Sequence, residues 1–181
     1  ITLFHMGEFI VAAGHLPHLD NLINHTHKKI LVQDVSITDI TSRNDIFAEF
    51  NCTNEQEIVG TFSSHGEITR ANISANFSLI IASKGNGPEN LATFEQFNQW
   101  RIANKIPWHG YEISNSFHPF SCGLEELVHQ NKGCYIGQEI LTRMRTRKRQ
   151  GKILIQVDTL TCNPANITTM GETQSLAIIR T

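Results

Sequence analysis

The apolar residues of this chain fall in short alternating runs, and that pattern constrains the fold more than any other feature. Ile46, Ala48 and Phe50 recur at every second position, as do several apolar residues between Ile68 and Ser83, and Ile153, Ile155 and Val157 do so again. A period of two sends successive side chains to opposite faces, so each run predicts a strand with one face toward a core. Ser175 to Arg180 predicts another strand. Helical spacing is rarer. Leu91, Phe94 and Phe97 step at three-residue intervals, which predicts an amphipathic helix over 89–104, closed by Pro107. A shorter helix is expected from Pro17, with Leu19, Leu22 and Ile23 on one face and a polar, basic end at 24–29. Strands are expected on either side of it, at 8–13 and 30–39, the second from Val35 and Ile37 alternating against Ser36 and Thr38. Leu124, Leu127 and Val128 predict a further helix around 122–130, and 158–174, with Asn163-Pro164 and Gly171, reads as loop. Helices mixed with hairpin-like strands point to the α+β class.

With 181 residues, the chain has room for one domain, or one domain and part of a second. The expected division is a body over 1–150 and a smaller β segment over 151–181. A net charge of −2 supplies no global field toward nucleic acid or membrane, and no apolar run is long enough to cross a bilayer. The opening Ile1-Thr2-Leu3-Phe4-His5 is neither a start methionine nor a signal peptide, so the beginning reads as truncated. Cys52, Cys122, Cys134 and Cys162 form no C-x-x-C pair, a spacing that suits a reducing cytosol better than a disulfide framework or a zinc site. His15/His18 and His25/His27 lack the i,i+4 spacing of helical metal ligands, so no metal site is expected.

The chemistry concentrates in Lys132-Gly133-Cys134-Tyr135-Ile136-Gly137-Gln138-Glu139. Two glycines bracket a thiol and an aromatic ring, so the segment reads as a tight turn that brings main chain against a ligand. Lys132 stands two residues from Cys134, where a cation favours the thiolate, the nucleophilic and metal-binding form. Tyr135 offers a face for a flat ring. Gln138 and Glu139 suit the amide and amino edge of a pterin, because an amide both donates and accepts while a carboxylate accepts from paired N–H groups. The plainer alternative is a surface turn with an inert cysteine.

This octapeptide resembles the signature of the YgfZ family at every position. The approach to it, with Ile106-Pro107, Gly110, Glu112, Pro119 and Gly123-Leu124, is similar both to that family and to the glycine-cleavage T-protein. The resemblance implies a folate-binding α+β body with ferredoxin-like antiparallel sheets around a central opening, followed by a small C-terminal β-barrel of which only part is present. It implies tetrahydrofolate or a derivative as cofactor and a role in maintaining iron–sulfur proteins, including one that modifies transfer RNA. Cys134 becomes the functional thiol, while Lys132, Tyr135, Gln138, Glu139, Arg143 and Arg145 become the folate-binding set. The T-protein lacks a cysteine at this point, so Cys134 favours an accessory protein over true aminomethyl transfer. A bacterial protein of this kind would be cytoplasmic, and a eukaryotic one would work in the mitochondrial matrix.

Arg143, Arg145, Arg147, Lys148, Arg149 and Lys152 place six of the fifteen lysines and arginines within ten positions. Alternation of the arginines predicts three guanidiniums on one face of an extended strand, suited to a folate glutamate tail or a phosphate backbone. The run equally suits a solvated edge strand. Contact with transfer RNA through 143–152 would act by charge alone, since no aromatic residue lies within the run. Two other functions stand beside the accessory one: a tetrahydrofolate-dependent aminomethyltransferase acting on a lipoyl-bound substrate, and a transfer-RNA-binding module.

Overall fold

A computed structural model describes residues 1–52, 58–147 and 150–181. The chain is α+β with antiparallel sheets, and it forms two compact units, Ile1–Leu91 and Ala92–Thr181. Residues 151–181 therefore belong to the second unit. No helix among the described residues is long and apolar enough to cross a membrane.

The first unit opens with a hairpin of β1 (Thr2–His5) and β2 (Ile10–Ala13), followed by α1 (Leu19–His27). Pro17 sits in a 3-10 turn, Leu16–His18, that leads directly into α1, as its preset backbone angle favours. The four-stranded sheet comprises β3 (Asn44–Phe50), β4 (Phe62–His65), β5 (Ile68–Ser74) and β6 (Phe77–Ser83) in the order β3-β6-β5-β4, every pair antiparallel. Phe4, Ala13 and Ala71 form its small core, with Met6, Val11, Ile73, Leu79 and Ile81 packed around them.

The strand expected over 30–39 is corrected: this stretch carries no regular structure. Leu31 and Val32 stay in solvent, 82% and 94% exposed, Ile30 and Ile37 are half-buried, and Gln33 Oε1 accepts from the backbone N–H of Leu31 at 2.8 Å. Alternation makes a strand only where another strand completes its ladder, and among the described residues no strand pairs with this segment.

The second unit begins with α2 (Phe94–Asn104), five residues later than the spacing predicts. Thr93 closes a capping box: its hydroxyl accepts from the Gln96 backbone N–H while the Gln96 side chain accepts from the Thr93 backbone N–H. That reciprocal cap fixes the start and leaves Leu91 outside. The helix expected at 122–130 is also corrected. Two 3-10 turns, Pro119–Cys122 and Glu125–Leu127, flank Gly123, whose φ of +76° is left-handed and interrupts any α-helix there.

The arginines at 143, 145 and 147 do not lie on a strand. Residues Gln138–Thr146 form α3, so Arg143 and Arg145 point in different directions around a helix. Gly137 starts α3 with φ +87°, a conformation that favours glycine. Lys148 and Arg149 lie outside the described residues.

The unit closes with an antiparallel sheet of β7 (Lys152–Asp158), β8 (Ile167–Thr169) and β9 (Gln174–Arg180) in the order β7-β9-β8. β7 falls where alternation placed it and β9 where the 175–180 strand was expected. β8 lies inside the expected loop: three residues are too few to show a period, yet they pair with the free edge of β9 across a register shift. Leu176, Ala177 and Ile178 of β9 are buried, as are Phe97, Trp100 and Ile102 of α2.

Candidate functional site

The foundation of the site is a fully buried ion pair that the sequence did not mark as such. Arg101 on α2 and Glu112 in the following loop meet at 3.0 Å with no exposure on either side chain. Arg101 also donates to the Ile106 carbonyl, to Asn98 Oδ1 and to Thr169 Oγ1. Glu112 Oε1 accepts from the hydroxyls of Thr168 and Thr169 at 2.6 Å each, and its Oε2 accepts from the Trp108 backbone N–H at 3.0 Å. Burial pushes the Glu112 carboxyl upward. The donated hydrogen bonds of Thr168, Thr169 and Trp108, with the Arg101 charge, outweigh it and hold the group below the usual carboxylate range. The network joins α2, the 105–112 loop and β8. The Cys122 thiol donates to the Glu112 carbonyl at 3.0 Å, and burial, reinforced by the Glu112 charge, raises its pKa. Cys122 is thus a neutral packing cysteine.

His118 carries the chain from this core to the signature segment. Its Nδ1 accepts from the Ser121 backbone N–H at 3.2 Å, and its Nε2 lies 2.8 Å from Ser121 Oγ and 3.0 Å from the Gln150 carbonyl. The imidazole therefore ties the Pro119–Cys122 turn to Gln150, two residues before β7.

A cleft of about 390 Å³ opens beside this turn. Leu127, Val128, Tyr135, Ile136 and Ile140 supply most of its wall, with Lys132 at the rim. Its apolar side chains are unusually bare: Ile136 is 100% exposed, Leu127 78% and Ile140 60%. Exposed aliphatic residues gathered at one concavity are a feature of ligand and partner sites rather than of ordinary surface.

Lys132 and Tyr135 line this cleft, and the Lys132 ammonium lies 4.2 Å from the Tyr135 ring centroid, covering one face of the half-buried phenol. Cys134 is exposed, next in the chain to the cleft residue Tyr135, and is not itself part of the lining. Gln138 and Glu139 open α3 and do not line the cleft. Glu139 Oε1 instead accepts from Arg143 at 2.7 Å, an i,i+4 pair in solvent. Arg145 is held by the protein: it pairs with Glu125 at 3.5 Å, donates to the Val128 carbonyl at 3.2 Å and lies 5.1 Å from the Phe120 ring centroid. It braces the cleft wall at Val128.

Of the cleft residues, His118, Ile140 and Leu141 are absent from the sequence reading, and Leu127, Val128 and Ile136 are named there without a ligand role. Leu127 and Val128 were assigned to the buried face of a helix that does not form. Ile136, between Tyr135 and Gly137, carried no signal of exposure.

No family model matches the chain, and a search of curated proteins returns no match.

Proposed function

We propose that this chain is a folate-binding accessory protein of the YgfZ type, which supports iron–sulfur proteins through the thiol of Cys134. The observation that carries the reading is an exposed cysteine beside an apolar cleft walled by the next two residues of the same octapeptide, Tyr135 and Ile136. The finer fold, a body of the aminomethyltransferase type with a partial C-terminal barrel, belongs to the same proposal.

The side chains suit a reduced folate. The faces of its pterin and aminobenzoyl rings match the open face of Tyr135 and the aliphatic flanks of Ile136 and Ile140, while the polar pterin edge stays toward solvent. Its glutamate carboxylates suit Lys132 at the rim. A cleft of about 390 Å³ falls within the range of small-molecule sites. Arg143 reaches a ligand only by exchanging its pairing with Glu139, and both groups are exposed enough for that exchange to be cheap. Tetrahydrofolate supplies a one-carbon carrier when bound. The chain's own contribution is to hold the rings and present Cys134 in solvent.

Calorimetric titration of the intact chain with tetrahydrofolate tests the cofactor. Saturable binding that weakens with Tyr135→Ala supports the site, and no binding by folded protein overturns it. Cys134→Ala tests the thiol: the reading expects unchanged folate binding but loss of iron–sulfur enzyme activity in cells depending on this protein. Aminomethyl transfer from a lipoyl-bound substrate that survives Cys134→Ala would instead identify an aminomethyltransferase.

A further inference from the structure

The second unit carries another cleft, of about 470 Å³, that shares no lining residue with the first. Lys152 and Arg180 stand on its wall, and they are directly opposed partners in the β7–β9 ladder. Opposed residues of an antiparallel pair send their side chains to the same face, with Cβ atoms about 5 Å apart. Two cations in that relation repel one another. Among the described residues no carboxylate pairs with either of them. The carboxylate of Glu112, linked to the lining residue Thr168, is buried and already engaged by Arg101, Thr168, Thr169 and Trp108.

The rest of the wall is divided in character. The Lys152 ammonium sits 5.1 Å from the centroid of the Phe117 ring, which holds the cation over the cleft. Ile178 continues the apolar side. Asn166, at the end of a 3-10 turn, contributes a side-chain amide with no hydrogen bond among the described residues. Thr168 spends its hydroxyl proton on Glu112 and offers no donor.

We propose that this cleft binds the phosphate group of a phosphorylated small molecule. Paired cations match the charge of a phosphate monoester, close to −2 near neutral pH, and a bound dianion relieves the Lys152–Arg180 repulsion. Arg180 supplies a fork for two phosphate oxygens, Lys152 a point charge and the Asn166 amide a neutral donor. The volume exceeds what a bare phosphate needs, so an organic body lies along Phe117 and Ile178. This site is independent of the folate reading.

The test is titration of the intact chain at low ionic strength with inorganic phosphate, adenosine monophosphate and glutamate as separate probes. Adenosine monophosphate is expected to bind at least fivefold more tightly than phosphate. Lys152→Ala/Arg180→Ala is expected to weaken it at least tenfold, while Lys152→Arg/Arg180→Lys retains most of the affinity. Both side chains are exposed, so an unchanged melting temperature and unchanged urea midpoint confine the effect to this cleft. No saturable binding of either phosphate probe at about 10 mM overturns the proposal. Glutamate binding as tightly as adenosine monophosphate overturns the phosphate assignment. So does duplex RNA binding that needs both cations and is not displaced by the nucleotide.

Discussion

Replacing Glu112 by Gln isolates the charge at the centre of the second unit. The two side chains have the same shape, and the amide oxygen can keep the Oε2 place, accepting from Arg101 and the Trp108 N–H. The amide nitrogen then faces Thr168 and Thr169, whose hydroxyls can turn to accept, Thr168 donating instead to the Leu176 carbonyl 3.2 Å away. Most of the hydrogen bonding therefore survives, the Thr169 hydroxyl proton losing its acceptor, while the negative charge is removed outright. A guanidinium with no exposed surface is left without its counter-ion, which costs about 3–5 kcal/mol. That is a large share of the roughly 5–15 kcal/mol that holds a domain folded, and it lowers the melting temperature by about 10 °C. Glu112→Ala also removes the acceptors for four donors and leaves a void, so its loss is larger still. Urea unfolding followed by tryptophan fluorescence is the assay, because Trp100 and Trp108 both lie in this unit and Trp108 donates to Glu112 itself. Arg101→Met/Glu112→Gln is expected to lose clearly less than the two single changes added together, since the second removes a charge already unpaired. A Glu112→Gln variant within about 1 kcal/mol of wild type, or additive single losses, would refute the reasoning.

Three further outcomes follow from the same geometry. The folded-state pKa of Glu112 lies below its unfolded value, so its stabilisation is complete above the unfolded pKa and disappears as pH falls through the folded one. Wild type should lose stability more steeply than Glu112→Gln below about pH 4, as read from urea midpoints across pH. Ile136→Lys, at a fully exposed position, should leave the urea midpoint within about 0.5 kcal/mol of wild type yet abolish tetrahydrofolate binding; retained binding would exclude this cleft. Gly137→Ala meets no atom within 4 Å, so its expected destabilisation of about 1 kcal/mol, measured by thermal unfolding, comes from the left-handed backbone alone.

Much of the architecture was legible because it rests on local periodicity. β3, β5, β6 and β7 lie where side chains alternate, β9 where a short apolar run ends the chain, and α1 follows the proline that precedes it. The start of α2 was legible too, in the Thr93-x-x-Gln96 cap, but the hydrophobic spacing drew attention five residues upstream. Residues 30–39 failed for a non-local reason, since alternation without a neighbouring strand leaves backbone groups unpaired.

The octapeptide could be found by reading, because thiol, ring and glycines are chemical identities present before folding. What sequence could not supply was their company. Arg101 and Glu112, eleven positions apart, become one charge pair only when β8 brings Thr168 and Thr169 to the same carboxylate. Arg145 turns inward to Glu125 and the Val128 carbonyl, whereas Arg143 stays on the surface with Glu139. Lys152 and Arg180 are 28 positions apart and become opposed cations only through the β7–β9 register. Sequence settles which chemical groups exist and the local period of the chain around them. Which of those groups meet, and which are buried, depends on contacts between distant segments, and only the tertiary structure decides that.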